Sequence, residues 1–399
     1  MPFDIARIRG LYPALGDGWI HLDGAAGVLV PEQVASAVAT AMRAPVSSPG
    51  GVFPASRRAE SIVAAARKAI ADLVGADPAG VVLGPSSAVM LQRLADALSE
   101  KWTLGDEVVV SRLDEVGNQD PWLRAMRRVG GTVRWSEIDI ETCELPAWQY
   151  ESLVSARTKA VALTAAAGSV GTRPDVPTVA EIAKRVGALV VVDASYVTPF
   201  APLDIASSGA DVLALSALSW GGPAVSALVF RDPSLLEKLR PVSLEKNARG
   251  PARLELGRHS YPLLAGLVSS IDFLAGMDDS ATGSRRERLM TSIASVKSHT
   301  GGLLGRMTSE LQALRHVMVI GAAIRRIPVL AFTVSGGKAG DVVQHLASRG
   351  VCAFADDGTD GVFASLGVGE VGGAVRIGLA HYSNDYDVNQ LMAALDVLR

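Results

Sequence analysis

The sequence predicts an α/β protein whose larger domain is built on a mainly parallel sheet. Segments rich in Val, Ala and Leu alternate with helix-like segments between about residues 78 and 240. The strand-like segments lack polar–apolar alternation, which is typical of strands buried on both faces of a parallel sheet. Repeated alternation of strand and helix gives a doubly wound sheet covered by helices. Sheets of this kind bind ligands at the carboxyl ends of their strands.

Seven strands and three connecting helices are predicted in this region. The strands are VVLG (81–84), EVVVSR (107–112), TVRWSEI (132–138), KAVALTAAA (159–167), ALVVVDAS (188–195), DVLALS (211–216) and AVSALVF (224–230). The helices are SSAVMLQRLADALSEKW (86–102), a segment near 118–129 and another near 177–186.

A second, smaller domain is predicted after a polar stretch at 243–259, in which Gly250-Pro251 is a breaker. Two long helical patterns follow, and Ser284 with Glu287 forms a capping box at the start of the second. Short strands then alternate with helices. The predicted ranges are helices 261–277 and 284–314, strands 327–334 and 374–380, and helices near 338–349 and 385–398. We therefore expect a large α/β domain at 18–255 and a small α+β domain at 256–399, which residues 1–17 join.

Composition narrows the classes of partner. The 399-residue chain is 49% hydrophobic and has a formal net charge of −3, which gives no electrostatic basis for binding nucleic acid or an anionic membrane. No apolar run approaches the ~20 residues that a membrane-spanning helix needs. The N-terminal MPFDIARIRG lacks the apolar core of a signal peptide. We expect a cytoplasmic protein without nucleic-acid or membrane partners.

Several common catalytic motifs are missing. The chain has no G-x-G-x-x-G after a strand and no G-x-x-x-x-G-K-[ST], which disfavours nicotinamide and P-loop chemistry. It also has no H-E-x-x-H and no G-x-S-x-G, and its six histidines are scattered. Cys143 and Cys352 are the only cysteines, so neither a disulfide framework nor a zinc cluster is expected. The prediction is that the protein has no metal site.

Three strand ends carry polar residues. The turn after Gly84 holds Ser86 and Ser87 at a helix N-terminus, which suits a phosphate but is also an ordinary serine cap. Asp193 ends another strand, where it either pairs with a protonated ring nitrogen or forms a turn. The third is SALSWGGP (216–223), a ligand-binding turn or a simple connection between two strands.

Together these strand ends resemble the class V aminotransferase and cysteine desulfurase family, pyridoxal-phosphate (PLP) enzymes of fold type I. The similarity covers nearly the whole chain. It rests on HLDGAAGVLVPEQV (21–34), SRLDEVGNQDPWLRA (111–125), VVDASYVTPFAPLDIASSGADVLALSALSWGGP (191–223), RLELGRHSYPLLAG (253–266) and VRIGLAHYS (375–383). The resemblance implies a fold-type-I large domain with a seven-stranded, mainly parallel sheet, a site at a homodimer interface, and PLP as cofactor.

The resemblance also implies a set of site residues. Asp193 stands where the family pairs the pyridine nitrogen, and Ser216 with the 84–88 turn stands where it holds the phosphate. The implied cofactor-binding residues are Gly84, Ser86, Ser87, Glu115, Asp193, Tyr196, Ser216, Ser219 and Arg258. His381 falls at the position of the substrate-carboxylate arginine, with Arg376 five residues earlier, so the implied substrate-binding residues are Arg376 and His381.

Several of these positions depart from the family pattern. Glu115 replaces the ring-stacking histidine, Ala88 a phosphate-binding threonine, and Gly168 an asparagine near the ring hydroxyl. Tyr196 replaces a Gln or His, and Arg258 a small hydroxyl residue. A carboxylate over the ring would repel an anionic cofactor unless it is paired, so Glu115 is expected to pair with Arg258 or another arginine.

The largest departure is Ser219, which stands at the position of the Schiff-base lysine. A serine forms no imine and, without an adjacent base, is a poor proton shuttle. The neighbouring Leu218 is not a base either. Desulfurase chemistry further requires a thiolate on the loop near 355–367, which has no cysteine; Cys352 precedes it and is predicted to be a buried core thiol.

Three functions are compatible with this pattern. The favoured one is a homologue degenerate for covalent PLP chemistry, with a binding or regulatory role toward a small anionic or amino-acid ligand and PLP held non-covalently or lost. An alternative is an active PLP- or PMP-dependent aminotransferase or lyase that uses Tyr196, His381 or Glu115 as base. Another is a subunit that completes the site of a lysine-bearing partner. The sequence names neither the substrate nor a confident catalytic residue.

Overall fold

A computed structural model describes residues 3–398 of the chain. The N-terminal part contains four elements: α1 (Ile5–Gly10), β1 (Ile20–His21), α2 (Glu32–Arg43) and α3 (Pro54–Val74). The helix α1 contacts the C-terminal part of the chain, since the Arg9 guanidinium binds the Asp387 carboxylate at 3.0 Å.

A seven-stranded sheet forms the centre of the molecule, as the sequence predicts. Its strands are β2 (Val81–Gly84), β3 (Glu107–Ser111), β4 (Thr132–Ser136), β5 (Thr158–Thr164), β6 (Leu189–Asp193), β7 (Val212–Ser216) and β8 (Ser226–Phe230). The spatial order is β2-β8-β7-β6-β5-β3-β4. All pairs are parallel except those of β8, which runs antiparallel to both β2 and β7. The sheet is therefore mainly parallel.

Helices cover both faces of this sheet. They are α4 (Ser87–Ser99), α5 (Val116–Val129), α6 (Tyr150–Leu153), α7 (Val176–Lys184), α8 (Ile205–Ser208) and α9 (Ser234–Lys238). Every residue of β3 and β8 is buried, and so are the first four of β7. These runs bury both strand faces, which explains why they show no alternation.

Two strands, β5 and β6, end earlier at their carboxyl ends than the sequence predicts. The predicted strand 159–167 stops at Thr164, and beyond it Ala167 donates to the Thr172 carbonyl and accepts from the Gly171 amide, so the chain turns out of the sheet. Likewise β6 ends at Asp193 rather than at residue 195. The apolar composition of both segments continues past the strand, so composition alone extends them too far.

The C-terminal part carries two long helices and a smaller sheet. Its elements are α10 (Tyr261–Ala275), α11 (Arg285–Ala313), β9 (Val317–Ile320), β10 (Val329–Val334), α12 (Ala339–Ser348), β11 (Val351–Cys352), β12 (Phe354–Asp356), α13 (Gly361–Ser365), β13 (Ala374–Gly378) and α14 (Asp385–Asp396). The predicted capping box of Ser284 and Glu287 is present at the start of α11. Antiparallel strands form a sheet of order β12-β13-β10-β9, and β1 pairs with β11 in parallel.

Candidate functional site

A cavity of about 250 Å³ opens at the carboxyl ends of β6 and β7. Five segments line it: Gly24, Ala26 and Gly27; Ser87; Glu115 and Gly117; Asp193, Ser195 and Tyr196; Ser216, Leu218 and Ser219. This is the edge at which doubly wound sheets bind ligands. Six of the residues implied by the family resemblance therefore meet in one cavity.

Asp193 stands at the tip of β6 in this cavity. Its Oδ1 accepts a hydrogen bond from the Ser195 amide at 2.9 Å. Burial raises the pKa of this carboxyl above its ordinary range, against the stabilising hydrogen bonds from Ser195. A desolvated carboxylate of this kind gains most from a cationic partner, such as a protonated ring nitrogen.

A second carboxyl, that of Asp114, lies behind Asp193. It follows β3, is fully buried, and accepts a hydrogen bond on Oδ1 from the Asn118 amide at 2.6 Å. Burial raises its pKa to about 8, and the nearby Asp193 adds to the shift. The Asp114 Oδ2 has no hydrogen-bond partner within residues 3–398. Sequence reasoning missed Asp114, because nothing in the stretch SRLDEV distinguishes it from the adjacent Glu115.

Arg376, rather than Arg258, is the arginine whose charge acts on Glu115. Burial raises the pKa of Glu115, and Asp193 adds to the shift, whereas the positive charge of Arg376 opposes it. Arg376 itself extends from β13 and donates to the Gly168 carbonyl at 3.5 Å. Arg376 thus belongs to the electrostatics of this cavity, as its predicted substrate-binding role suggests.

Tyr196 occupies the space that a side chain at residue 168 would need. A Cβ placed on Gly168 would lie 2.6 Å from the Cζ atom of Tyr196, well inside contact distance. The two positions are therefore coupled, since the larger residue at 196 requires the smaller one at 168. Burial, helped by Glu115, raises the pKa of the Tyr196 phenol to about 12, so it is a hydrogen-bond donor at neutral pH.

The turn at 216–223 begins with a short 3-10 helix, Ala217–Trp220. The Ser219 hydroxyl, in a residue only 9% exposed, donates to the Ser216 carbonyl at 2.9 Å. Gly221 ends the helix with a φ of 82°, and a Cβ there would lie 2.7 Å from the Leu29 carbonyl oxygen. The turn thus requires glycine at 221. No lysine within residues 3–398 lines the cavity.

The predicted phosphate turn stands between two cavities. The Ser86 hydroxyl caps α4 by accepting from the Val89 amide at 3.3 Å, so the ordinary capping role is present. Ser87 lines the Asp193 cavity. Gly84 instead lines an adjacent cavity of about 220 Å³ together with Arg258.

Arg258 and His381 lie outside the Asp193 cavity. Arg258 is exposed and lines the adjacent cavity instead. His381 is fully buried; its Nε2 is hydrogen-bonded to the Tyr12 hydroxyl, and burial lowers its pKa to about 3. The order of residues along the chain suggested both residues as site residues. It does not show that His381 is buried or that Arg258 lines the adjacent cavity.

The sheet, the smaller antiparallel domain and the carboxylate at the tip of β6 together define a fold-type-I, PLP-dependent transferase architecture. The chain belongs to the class V aminotransferase family, whose sequence profile matches residues 20–391. This confirms the resemblance drawn from the sequence.

Individual relatives agree with this assignment. An uncharacterized protein of Mycobacterium tuberculosis is 49% identical over 99% of both chains. The cysteine desulfurase CsdA of Escherichia coli is 25% identical over 99% of this chain and 97% of its own length. Its crystal structure superposes with a TM-score of 0.84 over 99% of this chain and 98% of its own at 23% identity. The apo cysteine desulfurase of Thermococcus onnurineus superposes with a TM-score of 0.88 over 100% and 98% at 22% identity.

One structural neighbour carries the cofactor. A mutant of C-DES, with glycine covalently linked to PLP, superposes with a TM-score of 0.81 over 97% of this chain and 98% of its own at 17% identity. Separately, no helix within residues 3–398 has both the length and the apolar character needed to cross a membrane.

Proposed function

We propose that this chain is a class V aminotransferase homologue that no longer performs covalent PLP chemistry and instead binds a small ligand in a regulatory or binding role. The observation that carries the proposal is Ser219, which stands at the lysine position of the turn and lines the Asp193 cavity. Its hydroxyl is engaged with the Ser216 carbonyl, and no nearby residue of the cavity lining offers an amine.

The cavity residues fit a non-covalently held pyridine ring better than a covalently attached one. Asp193 is a buried carboxylate whose raised pKa would fall toward its ordinary range beside a pyridinium. Ser87 and Ser216 add polar groups on the phosphate side. The volume of about 250 Å³ is below the roughly 300 Å³ at which ligand pockets for drug-sized molecules begin, so the ligand is expected to be small.

Glu115 limits how tightly an anionic ligand binds. Its carboxyl shares the cavity with Asp193, and the positive charge of Arg376 acts against the rise in the pKa of Glu115. We therefore expect weak binding of PLP, and comparable or better binding of a small zwitterion such as an amino acid. Its ammonium group would face the carboxylates and its carboxylate would face Arg376.

A second candidate is an active PLP- or PMP-dependent aminotransferase or lyase. When bound, PLP supplies an electron sink for a developing carbanion. Glu115 favours this alternative, because burial raises the pKa of its carboxyl, which makes the carboxylate a stronger proton acceptor than an exposed glutamate. Tyr196 is less suited to act as a base, since its pKa of about 12 keeps it protonated.

We also propose that the protein is a homodimer. The apolar side chains of Met42, Val52, Phe53, Leu244 and Leu256 are exposed. Leu244 and Arg258 line the same surface cavity of about 540 Å³. Homodimer interfaces are more apolar than the rest of a protein surface, so a partner subunit is a suitable cover for such side chains. Light scattering of the purified protein is expected to report twice the chain mass, and a stable monomer at micromolar concentration would contradict this.

The function is tested by titrating PLP into the wild type, Ser219→Lys and a control, Ser152→Lys. Ser152 is exposed on α6, so the control adds the same side chain away from the cavity. We expect an imine absorbance band in Ser219→Lys only, and weak non-covalent binding in the other two. An imine band in the wild type, trapped by borohydride, would overturn the proposal.

The remaining alternatives separate in the same preparation. Turnover of an amino acid by the wild type with added PLP, lost in Glu115→Gln, would favour the active enzyme. Stoichiometric co-purification of a lysine-bearing family member from the native host would favour the shared-site subunit. We expect neither result.

A further inference from the structure

Three side chains of different chemistry, none of which lines the Asp193 cavity, meet where β1 pairs with β11. His21 on β1 is directly opposite Cys352 on β11. Asp23, two residues on, bridges to Gly378 of β13. One ligand atom from each of these three side chains lies within 4.8 Å of the other two. The group therefore joins the N-terminal segment to the smaller sheet.

The imidazole of His21 is held between two carboxylates. Its Nε2 lies 3.1 Å from an oxygen of Asp17, and its Nδ1 lies 3.7 Å from an oxygen of Asp23. A histidine that binds a metal commonly donates its other ring N–H to a carboxylate, which fixes the tautomer and the ring orientation. Here Asp17 is placed to accept from Nε2, which leaves Nδ1 directed to the side of Asp23.

We propose that His21, Asp23 and Cys352 bind a Zn²⁺ ion. Imidazole nitrogen, carboxylate oxygen and thiolate sulfur are the ligand types that zinc takes in proteins. Zinc ligands at 2.0–2.3 Å lie roughly 3.3–3.8 Å apart in a tetrahedron. The present spacing of up to 4.8 Å thus requires the three atoms to approach by about 1 Å, within reach of small side-chain rotations.

His21, Asp23 and Cys352 are partly exposed, which suits a metal ion with one coordination position open to water. The side chain of His21 is 11% exposed and that of Asp23 is 34% exposed, so an ion and a water molecule can enter. Cys352 is half-buried, not the fully buried core thiol that the sequence suggested. Three protein ligands and a fourth site for water is the composition of an open zinc site.

Sequence spacing could not reveal this site. His21 and Asp23 lie near the start of the chain and Cys352 near its end, and only the parallel pairing of β1 with β11 brings them together. The sequence prediction of no metal site rested on local spacing, which describes only ligands that are close along the chain. A bound ion would cross-link the N-terminal segment to the smaller domain.

Zinc binding is tested with untagged protein, stripped with a chelator and titrated with zinc chloride against a competing colorimetric chelator. We expect one zinc per chain. Asp17→Asn is expected to weaken binding by about 10- to 100-fold, because it removes only the orienting carboxylate, and Cys352→Ser and His21→Ala are expected to weaken it further because they remove a ligand. Cys143→Ser is the matched control, since Cys143 is the other cysteine and lies elsewhere in the core.

A cobalt substitution provides a readout that does not depend on folding stability. Co²⁺ added to the stripped protein is expected to give a cobalt–thiolate charge-transfer band that persists in Cys143→Ser and is lost in Cys352→Ser. Circular dichroism verifies that each variant is folded. Absence of stoichiometric zinc binding, or binding that Cys352→Ser and His21→Ala leave unchanged, would overturn the proposal.

Discussion

The interior of the seven-stranded sheet and the carboxyl edge of the same strands differ in polarity and in how completely their buried polar atoms are hydrogen-bonded. Within β7, Val212 to Leu215 are fully buried and apolar, and all lie in the hydrophobic core. At the edge, Asp114 and Asn118 each bury a side-chain oxygen that lacks a hydrogen-bond partner within residues 3–398. Such incompletely satisfied groups are typical of binding sites rather than of scaffolds.

This difference explains how the architecture can persist while the chemistry changes. Burial of apolar surface stabilises the fold by roughly 25 cal/mol per Å², and the strands of the sheet, apart from β4 at its edge, are almost entirely buried. Ser219 and Glu115 lie outside the strands, so the replacements that we propose at these two positions would have little effect on folding. The predictions below test whether stability and chemistry are separated in this way.

The largest expected effect is a loss of stability in the sheet interior. Leu213→Ala removes a fully buried side chain from β7 and should lower the free energy of unfolding by about 2–5 kcal/mol. Leu218→Ala is the matched control, since Leu218 lies in the turn at the edge and is 49% exposed. It should cost less than about 0.5 kcal/mol. Urea unfolding measures the free energy of unfolding of both variants. Equal losses would show that the residues at the edge stabilise the fold as much as those in the sheet interior.

A second effect concerns the buried acid at the edge. The pKa of Asp114 is about 8 in the folded protein, above its unfolded value of about 3.9, so the folded state holds more protons between these values. Its contribution to the free energy of unfolding is therefore fully present below pH 4 and falls as pH rises to 8. Asp114→Asn should lack this decline, gaining on the order of a few kcal/mol over the wild type above pH 8.

An exposed aspartate gives the control of opposite sign. Hydrogen bonds from Thr142 lower the pKa of Asp139 in the folded protein. Its stabilising contribution is therefore present above the unfolded pKa and is lost as pH falls through the folded value. Above the unfolded pKa of this aspartate, Asp139→Asn should have a lower free energy of unfolding than the wild type. In acid, where the carboxyl is protonated in both states, the two proteins should be equally stable. A pH-independent difference between Asp114→Asn and the wild type would contradict our assignment for Asp114.

A smaller effect is expected from the coupled pair at the cavity wall. Gly168→Ala would place a Cβ against the Tyr196 ring and should destabilise the protein by about 1–3 kcal/mol. In a Tyr196→Ala background the same substitution should cost little, because the ring is gone. A double-mutant cycle measures this coupling. Additive losses would mean that the two positions vary independently.

The sequence predicted the sheet more completely than the site, for a physical reason. Burial on both faces leaves a signal in every residue of β7 and β8, so those strands were found within one or two residues of their ends. Short strands such as β1 and β11 are defined by their pairing with each other, and the two residues Ile20–His21 contain no pattern that predicts this pairing.

The arrangement of the site could be predicted only in part, because it depends on distances between residues that are far apart in the sequence. The positions of Asp193 and Ser219 followed from the order of landmarks along the chain, and both line the cavity. The opposition of Glu115 and Arg376, and the packing of Tyr196 into the space at Gly168, depend on contacts between segments far apart in sequence. His381 occupies a matching chain position but points into the core beside Tyr12.

We propose that Ser219 leaves the cavity unable to attach PLP covalently. The most direct test of this proposal is borohydride reduction of the wild-type protein purified from cells supplied with pyridoxine, followed by intact-mass measurement and peptide mapping. We predict an unmodified chain mass and no pyridoxyl-lysine peptide, with the same treatment modifying Ser219→Lys at residue 219. A stoichiometric phosphopyridoxyl group on any lysine of the wild type would contradict the account.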